Sequence, residues 1–423
     1  MPIAHPDHRE RLSFDARHSG FCTNGGKAMT DIAIHDTDTT RQRLRAQVRQ
    51  LCAGFAGDYW RTCDRERAYP EEFVHALTEA GYLSALIPEQ YGGLGLGVTE
   101  AGIILQEINR SGGHAAACHA QMYTMAPLLR HGSQEQKDRY LPKIACGELR
   151  LQAFSITEPE AGSNTPEIRT TAVHDGADYT VTGHKNWTSR ISQSDLLMLL
   201  ARTRPLPENP AERAEGISLF LVDLRQVRAE QPRSLIVEPV RTMFNYATNQ
   251  VWYKDMRISA DSLIGEEGKG FRYVIDGWNA ERILLASEAI GDGYWFLDRA
   301  IDYAKQRDVF GHPVGADQGV QFPLVRAYTQ VIAADQLRTR AAALFDTGQK
   351  CGAEANTAKY LASEASWQAA NICLDAHGGN GFVDTWDVER KFRETRVYQV
   401  APVNNNLILA FLGQHVLGLP RSY

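Results

Sequence analysis

Glu281 is the residue whose setting points most directly at chemistry. It lies in GWNAERILLASEAIG, residues 277–291, where an acidic side chain stands among Trp278, Leu284 and Leu285 on a helical repeat. A carboxyl group in apolar surroundings loses hydration when ionised, so its pKa rises and it becomes a stronger base toward a weakly acidic C–H. Gly277, one helical turn earlier on the same face, would leave space for a chain-like ligand. The competing reading is a solvated carboxylate paired with Arg282 or a lysine.

Other residues are suited to holding a flat or anionic ligand. In TEPEAGSN, Pro159 fixes the chain and Gly162 allows close backbone approach beside the hydroxyls of Thr157 and Ser163; the alternative is a polar turn. Trp187, followed by Thr188 and Ser189 at a strand end, offers an apolar wall next to small hydroxyls, or else is a core tryptophan. Arg307 and Phe310 fall three residues apart at a helix end, where guanidinium and ring would share a face suited to a diphosphate and an adenine. The alternative is an arginine capping its own helix. Gly378 to Gly381, GGNG, reads locally as a helix C-terminal loop.

The chain that positions these groups has 423 residues, enough for two or three domains. Its apolar fraction of 43% argues against disorder, and a net charge of -6 with scattered positive residues argues against a nucleic-acid partner. No apolar run approaches the roughly 18 residues needed to cross a bilayer, so no membrane association is expected. Seven cysteines, widely spaced and never C-x-x-C, fit a reducing compartment without disulfides or a metal site. The cytoplasm is expected, or the mitochondrial matrix if the source is eukaryotic. Residues 1–36 read as a disordered extension, with Met29 as an alternative start.

Helical periodicity governs residues 37–150: one amphipathic helix from about Thr39 to Cys63, a helix between Pro70 and Gly81, a turn-rich loop from Pro88 to Gly97, and helices over Glu100 to Asn109 and Met122 to Arg130. A further helix has Ser133 as its cap and Gln136 three residues on. Over residues 151–265 short β-branched runs alternate with Gly, Pro, Asn and Asp, predicting a β barrel or sandwich with an exposed hairpin loop at 203–215. Over residues 266–423 the helical period returns in Phe271 to Gln306, Pro323 to Thr347, Ala353 to Ala376 and a last helix near Asn405, which argues for a four-helix bundle. The fold class is α+β, ordered helical, β, helical.

This order, together with IPEQYGGLG, GSQEQKDRYLP, FSITEPEAGSN, GHKNWTS, LIGEEGKGF, RDVFGHPV and GGNGF in sequence, resembles the acyl-CoA dehydrogenase family over nearly the whole chain after residue 40. The resemblance implies FAD as cofactor. It assigns Phe154, Ile156, Thr157 and Ser163 to the flavin edge, Trp187 to packing on the isoalloxazine, and Ser189 to its N5 side. Arg307, Phe310 and Gln318, and with them Asp375, Gly378 and Gly379, would approach the flavin of a neighbouring subunit, implying a homotetramer built as a dimer of dimers. Asn404 and Asn406 would be further side-chain donors near the flavin.

The usual base of this family is a Glu in a Y-E-G-T sequence before the last helix, and here those positions carry Ala401, Pro402, Val403 and Asn404. Isovaleryl-CoA and long-chain members use instead the Glu of an E-R pair on an earlier helix, which corresponds to Glu281-Arg282. The implied reaction moves the α-proton of an acyl-CoA to Glu281 and the β-hydride to flavin N5, with an electron-transfer flavoprotein as acceptor. Ser163, Trp278, Arg282, Pro402 and Val403 are the implied substrate contacts, although Pro402 lacks the N–H that the family uses on the thioester carbonyl. Two alternatives stay open, a flavin monooxygenase on the same fold and a dehydrogenase of carrier-protein-bound acyl groups. Trp278 and the run Met243 to Tyr246 favour a short, branched or cyclic acyl chain.

Overall fold

A computed structural model describes residues 37–401 and 403–421; the extension at 1–36 and Pro402 lie outside the described residues. Two helices, α1 (Thr37–Ala53) and α2 (Gly57–Glu66), replace the single helix expected over 39–63. The break is local: Gly54 and Phe55 turn their N–H groups back onto Leu51 and Cys52, and Ala56 is extended. Glycine is a poor helix former, and the apolar spacing ran on through the break unaltered. Helix α3 (Glu71–Glu79) follows Pro70 and stops before Gly81, whose φ of 77° is left-handed. After α4 (Val98–Arg110), the helix expected over 122–130 is two short ones, α5 (His119–Thr124) and α6 (Ala126–His131), the second restarting at Pro127. Helix α7 (Gln134–Ala145) has the expected capping box between Ser133 and Gln136.

Seven strands form one sheet: β1 (Ala153–Ser155), β2 (Thr171–His174), β3 (Asp178–Ser189), β4 (Leu196–Arg202), β5 (Ile217–Asp223), β6 (Leu235–Pro239) and β7 (Thr248–Ser259). Strand order is β1-β4-β2-β3-β7-β6, with β5 antiparallel to β4. Strand β4 is buried throughout, and its unbroken apolar run LLMLLA is what a two-sided central strand requires. Strand β2, which the sequence did not announce, buries only Ala172 of its four residues. Residues between β4 and β5 form the expected hairpin loop, and α8 (Leu224–Glu230) follows, capped by Asp223.

Three long helices complete the chain: α9 (Gly270–Gln306), α10 (Gln318–Asp346) and α11 (Gly352–His377). Helix α10 starts before Pro323 and carries it inside, where the proline forfeits the bond an N–H would have made to the Gly319 carbonyl. A two-stranded hairpin, β8 (Asp308–Val309) and β9 (His312–Pro313), links α9 to α10. Short helices α12 (Val388–Thr395), α13 (Val397–Val400) and α14 (Asn405–Phe411) end the described chain. The fourth long partner of this bundle is α4, which packs on α9 and α10, whereas α14 meets α11 alone among the long helices. One apolar core therefore runs from Leu44 and Ile104 through Leu284 and Phe296 to Ala362. A second core joins α7, β4, β5 and the start of α9, which fixes the helix that carries Glu281 against the sheet.

Candidate active site

The TEPEAGSN turn is built on a buried ion pair. Lys185 of β3, fully enclosed, reaches Glu158 Oε1 at 2.9 Å and donates to the Ile156 carbonyl at 2.8 Å. Glu158 also accepts from the N–H groups of Arg169 and Thr170, and these contacts hold its carboxyl below the usual range against burial. Asn186 N–H donates to the Thr157 carbonyl at 2.8 Å, so the Phe154–Ile156–Thr157 segment lies beside Trp187. Strand β3 bulges between Lys185 and Thr188, and Trp187 there has φ 61°, a left-handed conformation that a bulky residue adopts only under constraint. The bulge turns the indole outward to 56% exposure, which removes the core-tryptophan reading. Ser189, next but one, is buried.

Beyond the turn, a side chain at Gly162 would meet nothing within 4 Å, and Ser163 is exposed. Asn404, the N-cap of α14, donates to Ser163 Oγ at 2.9 Å and accepts from Leu407 N–H, bringing the C-terminal segment onto the turn. Asn406 faces solvent. An exposed aromatic plane, neighbouring hydroxyls, open backbone at Gly162 and an unpartnered Asn186 Oδ1 together fit a flat heterocycle with polar edges.

Glu281 is half-buried on α9 and, among the described residues, makes no hydrogen bond or ion pair. Burial pushes its carboxyl up to about 7, while Arg282 and Lys359 pull the other way. Arg282 is engaged elsewhere: it donates to Asn279 Oδ1 and lies over the Trp278 ring at 5.6 Å. The tyrosines Tyr123 and Tyr246 feel the charge of Glu281, which places that carboxyl between α5, the segment before β7, and α11. Tyr246 is the member of the 243–246 run that belongs here; Met243 is exposed and Asn245 donates to the Cys63 and Ala68 carbonyls. A side chain at Gly277 would meet Ala126 Cβ of α6 at 3.5 Å, an ordinary van der Waals contact.

Lys359 is the site residue that sequence reasoning missed. It is enclosed on α11 and donates to the carbonyls of Tyr398 and Val403, thereby tying α13 to the chain just before α14. A lysine amid the small residues of ANTAKYLASEA was the available signal. The Val403 N–H has no partner among the described residues.

The remaining candidates lie at the other end of the bundle. Arg307 and Phe310 do not share a helix face: α9 stops at Gln306, Arg307 is extended, and Phe310 occupies the β8–β9 turn with φ 55°. Phe310 is 96% exposed, and Gln318, Asp375, Gly378 and Gly379 are also at the surface. Asn380 bonds Tyr303 OH at 3.0 Å, so the GGNG turn and the hairpin share one end. Roughly 37 Å of α9 separates that end from Glu281.

Residues 38–148, 153–244 and 268–416 match the N-terminal, middle and C-terminal domains of acyl-CoA dehydrogenase, respectively. The chain therefore belongs to the acyl-CoA dehydrogenase family. It is an oxidoreductase, and FAD is its cofactor. It is 34% identical to acyl-CoA dehydrogenase FadE12 of Mycobacterium tuberculosis over 411 residues, covering 93% of this chain and 100% of that one. It is 30% identical to a subunit of the caffeyl-CoA reductase-Etf complex of Acetobacterium woodii, covering 78% and 86%. The solved glutaryl-coenzyme A dehydrogenase in complex with glutaryl-CoA superposes with a TM-score of 0.83 at 27% identity, covering 90% and 96%.

Proposed function

We propose that this enzyme desaturates an acyl-CoA between its α and β carbons, with Glu281 as the base. The observation that carries the reading is a half-buried carboxylate that makes no hydrogen bond or ion pair among the described residues and is raised to about 7 by burial. Glu281 takes the α-proton and later releases it to solvent; a base matched to neutral pH is suited to an acid this weak. The Val403 N–H polarises the thioester carbonyl, a role that Pro402 cannot fill. Trp278, Arg282 and Ser163 line the substrate side, and the tyrosines Tyr123 and Tyr246 close the far wall against water. When bound, FAD supplies the acceptor for the β-hydride, so that a 2-enoyl-CoA results.

Phe154, Ile156, Thr157, Trp187 and Ser189 hold the flavin ring in this reading. Arg307, Phe310, Gln318, Asp375, Gly378 and Gly379 serve the FAD of a second copy, because one extended dinucleotide does not reach from one end of α9 to the other. A homotetramer of paired dimers satisfies that geometry. An electron-transfer flavoprotein as acceptor is supported by the relative that works in an Etf complex.

Anaerobic titration of the FAD-loaded enzyme with a panel of acyl-CoAs tests the reaction through loss of flavin absorbance. Bleaching by at least one thioester is expected, with a rate lowered about 10³-fold or more in Glu281→Gln. No bleaching by any thioester would remove the dehydrogenase reading, and wild-type bleaching in Glu281→Gln would remove the base.

A further inference from the structure

Lys359 is 1% exposed, and a lysine is stripped of water at this level only where its N–H donors are met. All three are: the Tyr398 carbonyl at 2.5 Å, the Val403 carbonyl at 2.7 Å and Asn405 Oδ1 at 3.2 Å. Asn405 is itself braced, bonded to Ser363 Oγ and donating to Glu364 at 2.8 Å. The ammonium therefore grips both sides of the segment between α13 and α14, in which the Val403 N–H has no partner among the described residues. None of its three acceptors is a carboxylate, so its charge is not neutralised in contact and acts through space.

We propose that Lys359 is a positioning residue: it ties down the turn that presents the Val403 amide, and it supplies the counter-charge that keeps Glu281 ionised as substrate binds. This rests on Glu281 as the base. Helices α9 and α11 pack side by side, and across that packing the charges of Glu281 and Lys359 act on each other. The groups facing Glu281 are Arg282 beside it on α9, Lys359 from α11, Tyr123 from α5 and Tyr246 from the segment before β7. Those facing Lys359 are Arg282, Glu281 and Glu364. Arg282, next to Glu281 in the chain, opposes its neutralisation more strongly but only bonds Asn279 and lies over Trp278, whereas Lys359 is the cation that addresses both Glu281 and the turn. Burial and Arg282 push the Lys359 ammonium down to about 7, so a modest change at either partner alters the charge of the other.

Infrared difference spectra between wild type and Glu281→Gln isolate the carboxylic-acid stretch of Glu281 and follow its loss as pH rises, without turnover. In Lys359→Met the midpoint of that loss is expected to move up by about one pH unit, as removal of an opposite charge requires. Lys359→Arg, whose charge is permanent, is expected to keep the midpoint at or below the wild-type value. Amide hydrogen exchange over residues 399–404 should quicken at least about tenfold in Lys359→Met as the turn loosens. An unmoved midpoint or unchanged exchange in Lys359→Met overturns the proposal. If that variant does not fold, a raised midpoint in Lys359→Arg overturns it instead. Loss of the base reading is told apart by turnover: an active Glu281→Gln removes the base but leaves the infrared midpoints to report the coupling.

Discussion

At Glu281 burial outweighs two nearby cations, and the consequences run in opposite directions for activity and for stability. If Glu281 is the base proposed above, it must be ionised to act, so kcat is expected to rise with pH and level off above about 7. For stability, a carboxyl raised in the folded state holds a proton there that the unfolded chain has already released between its ordinary value and about 7. The associated stability is complete in acid and is lost as pH climbs through 7. Glu281→Gln escapes that loss, so denaturant melts should show it more stable than wild type by ~1–3 kcal/mol at pH 8 and nearly equal to it at pH 5. An equal difference at both values would mean that Glu281 is not desolvated. The local sequence made Glu281 a candidate, but only the surroundings supplied by Tyr123, Tyr246 and Lys359 distinguish it from Glu288, seven residues on. That carboxylate is buried and already bonded to His119 and Tyr398.

Among the elements, the TEPEAGSN turn depends on β3 through Lys185 and Glu158. Breaking a buried pair by removing one partner leaves a stranded charge, so Lys185→Met is expected to cost about 3–5 kcal/mol and to release FAD at a lower temperature. Lys185→Met combined with Glu158→Leu should recover part of that loss, read as a higher thermal midpoint than the single variant. No recovery would place the damage in the Ile156 carbonyl contact instead. The turn's hydroxyls and glycine were legible in the sequence, but Glu158 was not. Its role follows from the Asn186 N–H bond to the Thr157 carbonyl, which brings residue 185 against residue 158. The β8–β9 hairpin carries the same lesson: the three-residue spacing of Arg307 and Phe310 suggested a helix, yet Gly311 at φ 87° turns the chain back.

At the scale of the whole molecule, Phe310 exposes almost its entire ring at the opposite end of α9 from the base. Exposed side chains add little to the stability of their own chain, so Arg307→Ala combined with Phe310→Ser should leave the melting of the apo-protein nearly unchanged. The same variant should bind FAD at least about tenfold more weakly and shift to smaller species in light scattering. Full FAD occupancy in a monomeric wild type would remove the role in trans. The order of helical, β and helical segments, the capped ends of α3 and α7, and the strands from β3 to β7 follow from the sequence alone, because caps, alternation and glycine act within a few residues. The candidate base and the cofactor residues were legible for a different reason, through motifs carried in a fixed order. Tertiary structure decided what depends on distant partners: α4 as the fourth helix of the bundle, and Trp187 turned outward by a bulge. It also decided that a lysine from α11 would hold the turn around position 402, since neither periodicity nor spacing records which charge a buried carboxylate will face.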